Sequence, residues 1–150
     1  PTTVRPSYDV LKTLVQTYKR EGKKNGKGFY EYLDNGDKQL WPELMTLYPP
    51  QPEQPSRQDL IDRLLFIQAN ESAKCYEENV VRSVADTNVG SIFGWGFAPQ
   101  HGGTLQFINA MGLDTFIARS RELATRYGER FEPAQILLEM SDKGEVFSDD

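Results

Sequence analysis

The first candidate for chemistry is a basic glycine loop at residues 23–28, with the sequence Lys-Lys-Asn-Gly-Lys-Gly. Lysines among glycines invite phosphate binding, but a phosphate-binding P-loop follows a strand, precedes a helix and ends in Lys-Ser or Lys-Thr. Here a predicted helix comes first, a strand-like segment follows, and no Ser or Thr comes after Lys27. The context favours a structural turn, and phosphate contact is the alternative.

A second candidate is the glycine series Gly90, Gly94 and Gly96, which could be taken for a dinucleotide fingerprint. That fingerprint is Gly-x-Gly-x-x-Gly, placed between a strand and the helix whose N-terminus meets the pyrophosphate. The spacing here is Gly-x3-Gly-x-Gly, in a tight stretch that follows a long predicted helix. We therefore interpret these glycines as sites where the backbone packs closely against a neighbouring helix.

The chain contains one histidine, His101, and one cysteine, Cys75. A single cysteine excludes an intrachain disulfide and a zinc site built on several cysteines. General-base work is one interpretation of His101, but the sequence identifies no partner for it, so we predict a surface or helix-capping histidine. For Cys75 we predict a small buried hydrophobe, because a reactive thiol needs an exposed electropositive setting.

Three carboxylates, Glu71, Glu77 and Glu78, fall on one predicted helix. Paired carboxylates can perform acid–base catalysis, but charged residues along a long helix usually form its solvated face. We predict the solvated face here. The residue types alone therefore indicate no catalytic or metal-binding constellation.

The elements that would position these residues are mostly helical. Apolar residues recur at helical spacing through residues 8–21, with Ser7 as the N-cap and Gly22 as the stop. Residues 29–32 and 38–41 flank an Asp-Asn-Gly-Asp turn and predict a β-hairpin. We expect Trp41 and the three rings at positions 29, 30 and 32 to clamp the hairpin to a helix.

Four prolines within residues 49–55 predict a stiff connector between two units. After it, Ser56 begins a helical pattern that no Gly or Pro interrupts up to Val89. We predict one long helix of about 28 residues there, the spine of an all-α domain.

Shorter helices are predicted beyond the long one. Two of them end at Gly112 and Gly128, and a third begins near Pro133. The last residues, 148–150, are expected to fray.

The composition is that of a folded chain rather than a disordered one. The 150 residues are 38% hydrophobic, 26% charged and 11% aromatic. A net charge of −5 argues against a nucleic-acid-binding protein, whose domain is usually basic. No apolar run approaches the ~20 residues of a membrane span, and the first residues lack the apolar segment of a secretory signal.

Several segments together form a recognisable pattern. Residues 24–32 read Lys-Asn-Gly-Lys-Gly-Phe-Tyr-Glu-Tyr, and residues 86–103 read Asp-Thr-Asn-Val-Gly-Ser-Ile-Phe-Gly-Trp-Gly-Phe-Ala-Pro-Gln-His-Gly-Gly. The first segment is similar to the signature that closes the C-terminal domain of 3-hydroxyacyl-CoA dehydrogenases. The second resembles a second copy of that domain, as do residues 63–73, 105–109, 127–133 and 144–147. Tandem copies are a feature of the multifunctional fatty-acid oxidation α chain, which joins an enoyl-CoA hydratase to this dehydrogenase.

The resemblance implies a domain organisation and a fold. Residues 1–48 would be the tail of the first C-terminal copy, residues 49–55 the linker and residues 56–150 the second copy. The fold would be mainly α and like the C-terminal domain of 6-phosphogluconate dehydrogenase, with a long central helix plus a small N-terminal helix and β-hairpin. Pro1, standing where a Met would begin a chain, agrees with a piece of a longer protein.

The resemblance also implies an activity for the parent protein. That protein would oxidise a 3-hydroxyacyl-CoA to a 3-ketoacyl-CoA, with NAD accepting the hydride, in the cytoplasm of a bacterial-type cell. NAD and the catalytic His–Glu pair would belong to an upstream nucleotide-binding domain, so we assign no cofactor site, catalytic residue or metal ligand to this chain. The implied partners are the upstream nucleotide-binding and hydratase domains, the acyl-CoA substrate, and a thiolase subunit or a second copy; nucleic acid and a membrane span are not among them.

One substrate contact carries over by resemblance. In bacterial α chains of this family an aromatic residue, commonly tyrosine, contacts substrate just before the Gly-x-Gly-Phe turn, and Phe93 occupies that place. A phenylalanine lacks the hydroxyl, so only packing would remain; a core aromatic is the alternative. Asp62 matches the place of the first copy's substrate-contacting Asn, and we assign it no catalytic role.

Two functional hypotheses follow. In the first, the chain supports the substrate cleft and the packing of domains or subunits in the dehydrogenase, and is inactive by itself. In the second, it is a non-catalytic helical module that recruits a partner or dimerises. Both predict an exposed apolar patch.

Overall fold

The computed structural model describes residues 6–149, so residues 1–5 and Asp150 lie outside the described part of the chain. The described chain is mainly helical, with seven α-helices and a two-stranded antiparallel sheet. It divides into two compact units at Gln54 and Pro55, inside the proline-rich segment. Between residues 6 and 149, no helix combines the length and the apolar character needed to cross a bilayer.

The first unit opens with a helix that differs from the predicted one. Helix α1 spans Pro6–Lys12 and continues as a π-helical segment, Thr13–Thr17, so Ser7 lies within the helix and not at its cap. The chain leaves the helix at Lys19, which takes a φ of 53°. The predicted stop at Gly22 is therefore wrong.

The basic loop is a structural turn. A 3-10 turn at Lys23–Asn25 ends at Gly26, which takes the left-handed conformation that glycine adopts without strain. The Asn25 side chain holds the turn by donating to the Lys19 carbonyl at 2.7 Å and accepting from the backbone N–H of Lys27 at 3.3 Å. These contacts hold the loop as a turn, the conformation that its context predicted.

The hairpin forms as predicted. Strand β1, Tyr30–Tyr32, pairs antiparallel with β2, Lys38–Leu40, with Tyr30 opposite Leu40. Trp41 clamps it, because its buried ring lies edge-on to Tyr18 at 5.0 Å.

The other half of the predicted clamp is wrong. The rings of Phe29, Tyr30 and Tyr32 remain about 40% exposed. Arg20 takes their place: its guanidinium lies 4.1 Å from the Trp41 ring centre and its Nε donates to the Gly28 carbonyl at 2.7 Å. The short helix α2, Leu44–Leu47, follows the hairpin, and residues 48–56 form no helix or strand.

The second unit is built from five helices around an aromatic core. They are α3 (Arg57–Glu77), α4 (Val84–Trp95), α5 (Thr104–Met111), α6 (Leu113–Tyr127) and α7 (Gln135–Lys143), with 3-10 turns at Pro99–His101 and Glu129–Phe131. Phe66 stacks on Phe116 at 4.4 Å, and Phe107 packs edge-on against both. The predicted helix ends at Gly112 and Gly128 are confirmed.

The single long helix is a wrong prediction. Helix α3 has 21 residues and ends at Glu77, because Asn79 takes a left-handed φ of 56°. Asparagine adopts that conformation more readily than other non-glycine residues. Ser83 then starts α4 by accepting from the backbone N–H of Asp86 at 3.1 Å. An Asn and a Ser therefore break the helix where no Gly or Pro stands.

The C-terminal segment is anchored, contrary to the predicted fraying. The Asp149 carboxylate accepts from the backbone N–H groups of Val84 and Ala85 at 2.5 and 2.7 Å. A carboxylate at a helix N-terminus is stabilised by the unpaired N–H groups and the dipole there. Phe147 is buried, with its ring edge-on to Tyr76 at 5.7 Å.

Candidate functional site

The glycine series lies on a helix and not in a loop. Gly90 and Gly94 are within α4, and Gly96 ends it in the left-handed conformation with φ 79°. A Cβ added at any of the three would meet no atom within 4 Å. The prediction that these glycines permit close packing against a neighbouring helix is therefore wrong within the described residues.

Close packing occurs instead at Gly103. A Cβ there would lie 2.4 Å from the Cβ of Asn88, and the residue has a φ of +112°. Asn88 sits so close because its Oδ1 accepts from the backbone N–H groups of Leu105 and Gln106, at 2.9 and 3.0 Å. It thereby caps α5, whose own N-cap residue is Gly103 and has no side chain.

The geometry around Gly90 differs from that of a dinucleotide site. Such a site needs free N–H groups at a helix N-terminus beside the glycines. The first N–H groups of α4 already bond to Ser83 and Asp149, and those of α5 bond to Asn88 and Ser91. Gly90 itself lies in the interior of α4.

Phe93 is on the surface. Its side chain is 85% exposed, so the core-aromatic alternative is wrong. Helix α4 buries Val84, Thr87 and Ser91, which share one face, and Phe93 falls outside that face. The substrate contact implied for Phe93 remains a prediction, and the residue is accessible for one.

A groove of about 510 Å³ lies between α3 and α4 beside this surface. Trp95 closes one part of it, with its indole Nε1 donating to Oε1 of Gln68 at 2.9 Å. The groove's wall on α4 includes Gly90 and Gly94, which leave it open because they have no side chains. The lining is completed by Ile67, Glu71, Ser72, Cys75, Val81, Asp86 and Thr87.

Cys75, predicted to be buried, is only half-buried and lies in this groove. Glu71 also lines it, and is exposed and paired with Lys74 at 2.9 Å. Glu78 is exposed and Glu77 half-buried. The solvated-face prediction is confirmed for Glu71 and Glu78.

His101 is neither a free surface residue nor a helix cap. Its half-buried ring lies edge-on to Phe107 at 5.0 Å and tilted to Phe97 at 6.2 Å. The ring acts as part of the aromatic packing.

A buried charge network joins α3 to α6. Asp59 accepts from the Tyr127 hydroxyl at 2.7 Å and from Nη2 of Arg119 at 2.6 Å, and Arg126 pairs with it at 2.6 Å. Asp62 accepts from Nε of Arg119 at 2.8 Å. Asp62 thereby takes part in the contact between α3 and α6.

The network alters the acidity of its members. The hydrogen bond from Tyr127, then that from Arg119, lowers the pKa of Asp59 to about 2. The same contact raises the pKa of the Tyr127 hydroxyl, and burial adds to the rise. Sequence reasoning missed this network. Its signal was that two carboxylates, Asp59 and Asp62, share a face of α3 with core residues such as Phe66.

Within residues 6–149, no group of three or more His, Cys, Asp or Glu side chains is arranged to hold a metal ion. No protein-family model matches the sequence. The candidate site is therefore the α3–α4 groove with the exposed Phe93 beside it, defined by shape and apolar surface.

Proposed function

We propose that this chain is the C-terminal portion of an NAD-dependent 3-hydroxyacyl-CoA dehydrogenase of the multifunctional fatty-acid oxidation type. Residues 1–48 end the first C-terminal domain copy and residues 56–150 form the second, with the fold of the 6-phosphogluconate dehydrogenase C-terminal domain. The similarity of residues 24–32 and 86–103 to that family supports the assignment, and so does the mainly helical second unit.

The observation that carries the functional role is the exposure of Phe93. An aromatic ring 85% exposed on an ordered helix leaves a large apolar surface in water. Trp95, more than half exposed, extends that surface toward the groove. In the parent enzyme this surface lies against the substrate cleft or an upstream domain, and the chain positions groups that perform the chemistry elsewhere.

This role can be tested with variants of the parent enzyme. Phe93→Ala should raise KM for a 3-hydroxyacyl-CoA with kcat nearly unchanged, because an apolar contact made equally in ground and transition state contributes uniform binding. Phe93→Tyr should leave both constants within about twofold. The matched control is Val146→Ala, which truncates an exposed apolar side chain in the C-terminal segment.

The chain by itself should not reduce acetoacetyl-CoA with NADH, and measurable turnover would refute the assignment. The gene upstream of the sequence should encode a strand followed by Gly-x-Gly-x-x-Gly. A gene that starts at or just before Pro1 would favour the second candidate, a non-catalytic helical interaction module. That candidate is supported by the same exposed surface on α4.

A further inference from the structure

Helix α3 carries apolar residues on two opposite faces. One face packs into the core through Phe66, Ala69 and Ala73. On the other side Leu60 and Leu64 are 47% and 67% exposed, where a surface helix normally carries polar side chains. A single exposed apolar residue is common on protein surfaces, but a row of them on one helix face is typical of a surface that a partner covers.

The outer face runs into the groove as one continuous strip. Leu60, Leu64, Ile67, Glu71 and Cys75 follow one another at three- and four-residue intervals, so they share one side of α3. At 1.5 Å per residue the strip is about 22 Å long. That length matches four turns of a docked helix and exceeds what a small molecule in the groove would cover.

The opposite wall allows a helix to come close. Gly90 and Gly94 are one turn apart on α4, and open space lies where their side chains would be. Small residues at this spacing let two helix backbones approach, while Trp95 stands at the edge. The site is a groove with two glycines on the α4 side and, on the α3 side, a strip of residues that is apolar except at Glu71.

The charges in the groove select the partner. Its lining includes the carboxylates Glu71 and Asp86 and no lysine, arginine or histidine. Glu71 already pairs with Lys74 at 2.9 Å, so the net negative charge of the lining comes from Asp86, which is exposed. A second copy of this chain that docked through the same groove would bring a second Asp86 to the contact, and like charges would oppose its docking. We infer that the α3–α4 groove binds an amphipathic α-helix whose apolar face is flanked by lysine or arginine. This inference deepens the packing role proposed above and rests on it.

Cys75 provides a direct readout, since it is the chain's one thiol and lines the groove. Two synthetic helical peptides of about 16 residues would share one Leu/Ala face and differ only in lysine or glutamate flanks. The lysine peptide should slow alkylation of Cys75 by N-ethylmaleimide about tenfold at saturation. The glutamate peptide should leave the rate within about twofold.

Variants locate the effect. Asp86→Lys together with Glu71→Lys should reverse the peptide preference, and circular dichroism checks that α3 and α4 still form. Gly90→Leu should fill the groove and abolish protection. The control is Ala110→Leu, which adds the same bulk at an exposed position of α5 outside the groove lining.

Four results would overturn the inference: protection by neither peptide, equal protection by both, protection by decanoate alone, or an alkylation rate that falls with protein concentration without peptide. The third would identify a small-molecule pocket and the fourth a second copy. Failure here is distinguishable from failure of the proposed function, because the peptide experiment does not depend on dehydrogenase activity. If the parent enzyme is active but the lysine peptide does not slow alkylation of Cys75, the docking inference is wrong and the family assignment still holds.

Discussion

Gly103 and Asn88 lie so close that a Cβ on Gly103 would stand 2.4 Å from the Cβ of Asn88. The contact exists because Asn88, on α4, supplies the N-terminal cap of α5. One asparagine and one glycine thereby fix the position of two helices that the sequence separates by a glycine-rich turn. The glycine is required both for the space and for its φ of +112°.

Gly103→Ala should destabilise the second unit strongly. The added methyl meets the Asn88 backbone as well as its side chain, and the positive φ is strained for any L-residue. We expect a loss of about 3 kcal/mol or more, measured by urea unfolding. Gly144→Ala is the control, since Gly144 has φ +68° and open space at its Cβ, and should cost only about 1–2 kcal/mol.

Asn88→Ala should cost about 1–2 kcal/mol, the usual price of a lost helix cap. It removes the acceptor for the N–H groups of Leu105 and Gln106 while leaving the core residues unchanged. Hydrogen exchange should therefore accelerate most at those two amides. Asn88→Asp keeps an acceptor at the helix N-terminus and should recover most of the loss; equal damage by both variants would contradict the capping role.

Local signals predicted the parts of the fold that depend on a few neighbouring residues. The hairpin follows from its Asn-Gly turn, and the ends of α5 and α6 follow from Gly112 and Gly128. The break after α3 also had a local signal, Ser83 three residues before Asp86, in a stretch that contains no Gly or Pro. An asparagine that ends a helix in the left-handed conformation, as Asn79 does, is hard to distinguish in a sequence from an ordinary polar residue.

The α3–α6 charge network and the candidate groove were less predictable, because their contacts join residues that are distant in sequence. The bond between Asp59 and Tyr127 joins residues 68 positions apart, and periodicity carries no information about such pairs. Exposure was the other obstacle. Leu60 and Leu64 fit the helical apolar pattern equally well as core or surface residues, and only packing shows that they face outward.

Tyr127→Phe should reduce stability at neutral pH and have little effect near pH 2. The pKa of Asp59 is lowered to about 2 from an ordinary value of 3.8, so its network stabilises the fold fully above about pH 4. That contribution is lost as the pH falls toward 2. The phenylalanine variant removes the largest cause of the lowered pKa, so the free energies of unfolding of the two proteins should converge as the pH falls.

Urea unfolding at several pH values between 7 and 2.5 measures this convergence. The control is Tyr76→Phe, whose ring packs against Phe147 and whose hydroxyl takes no part in the Asp59 network. A Tyr127→Phe deficit that stays constant across the pH range would show that the hydroxyl stabilises by packing and not through Asp59.

Phe93→Ser should change the free energy of unfolding by less than about 0.5 kcal/mol, because the ring is 85% exposed. Phe66→Ala, which removes a ring stacked at 4.4 Å on Phe116 in the core, should cost about 3–5 kcal/mol. Thermal unfolding followed by circular dichroism compares the two. A large loss at Phe93 would mean that the ring packs into the domain and is not held for a partner.

Gly90→Ala should raise the free energy of unfolding, whereas Gly103→Ala lowers it, although the chemical change is the same. Gly90 lies in the interior of α4, and an added Cβ would meet nothing within 4 Å. Alanine loses less backbone freedom than glycine on helix formation, so we expect a gain of about 1 kcal/mol. Urea unfolding measures the gain in the isolated chain. The native protein keeps glycine at this position and so has a lower stability than the alanine variant should have. The proposed docked helix explains this, because it needs the space that the methyl group would occupy. A destabilised Gly90→Ala variant would show instead that α4 already packs closely at this point.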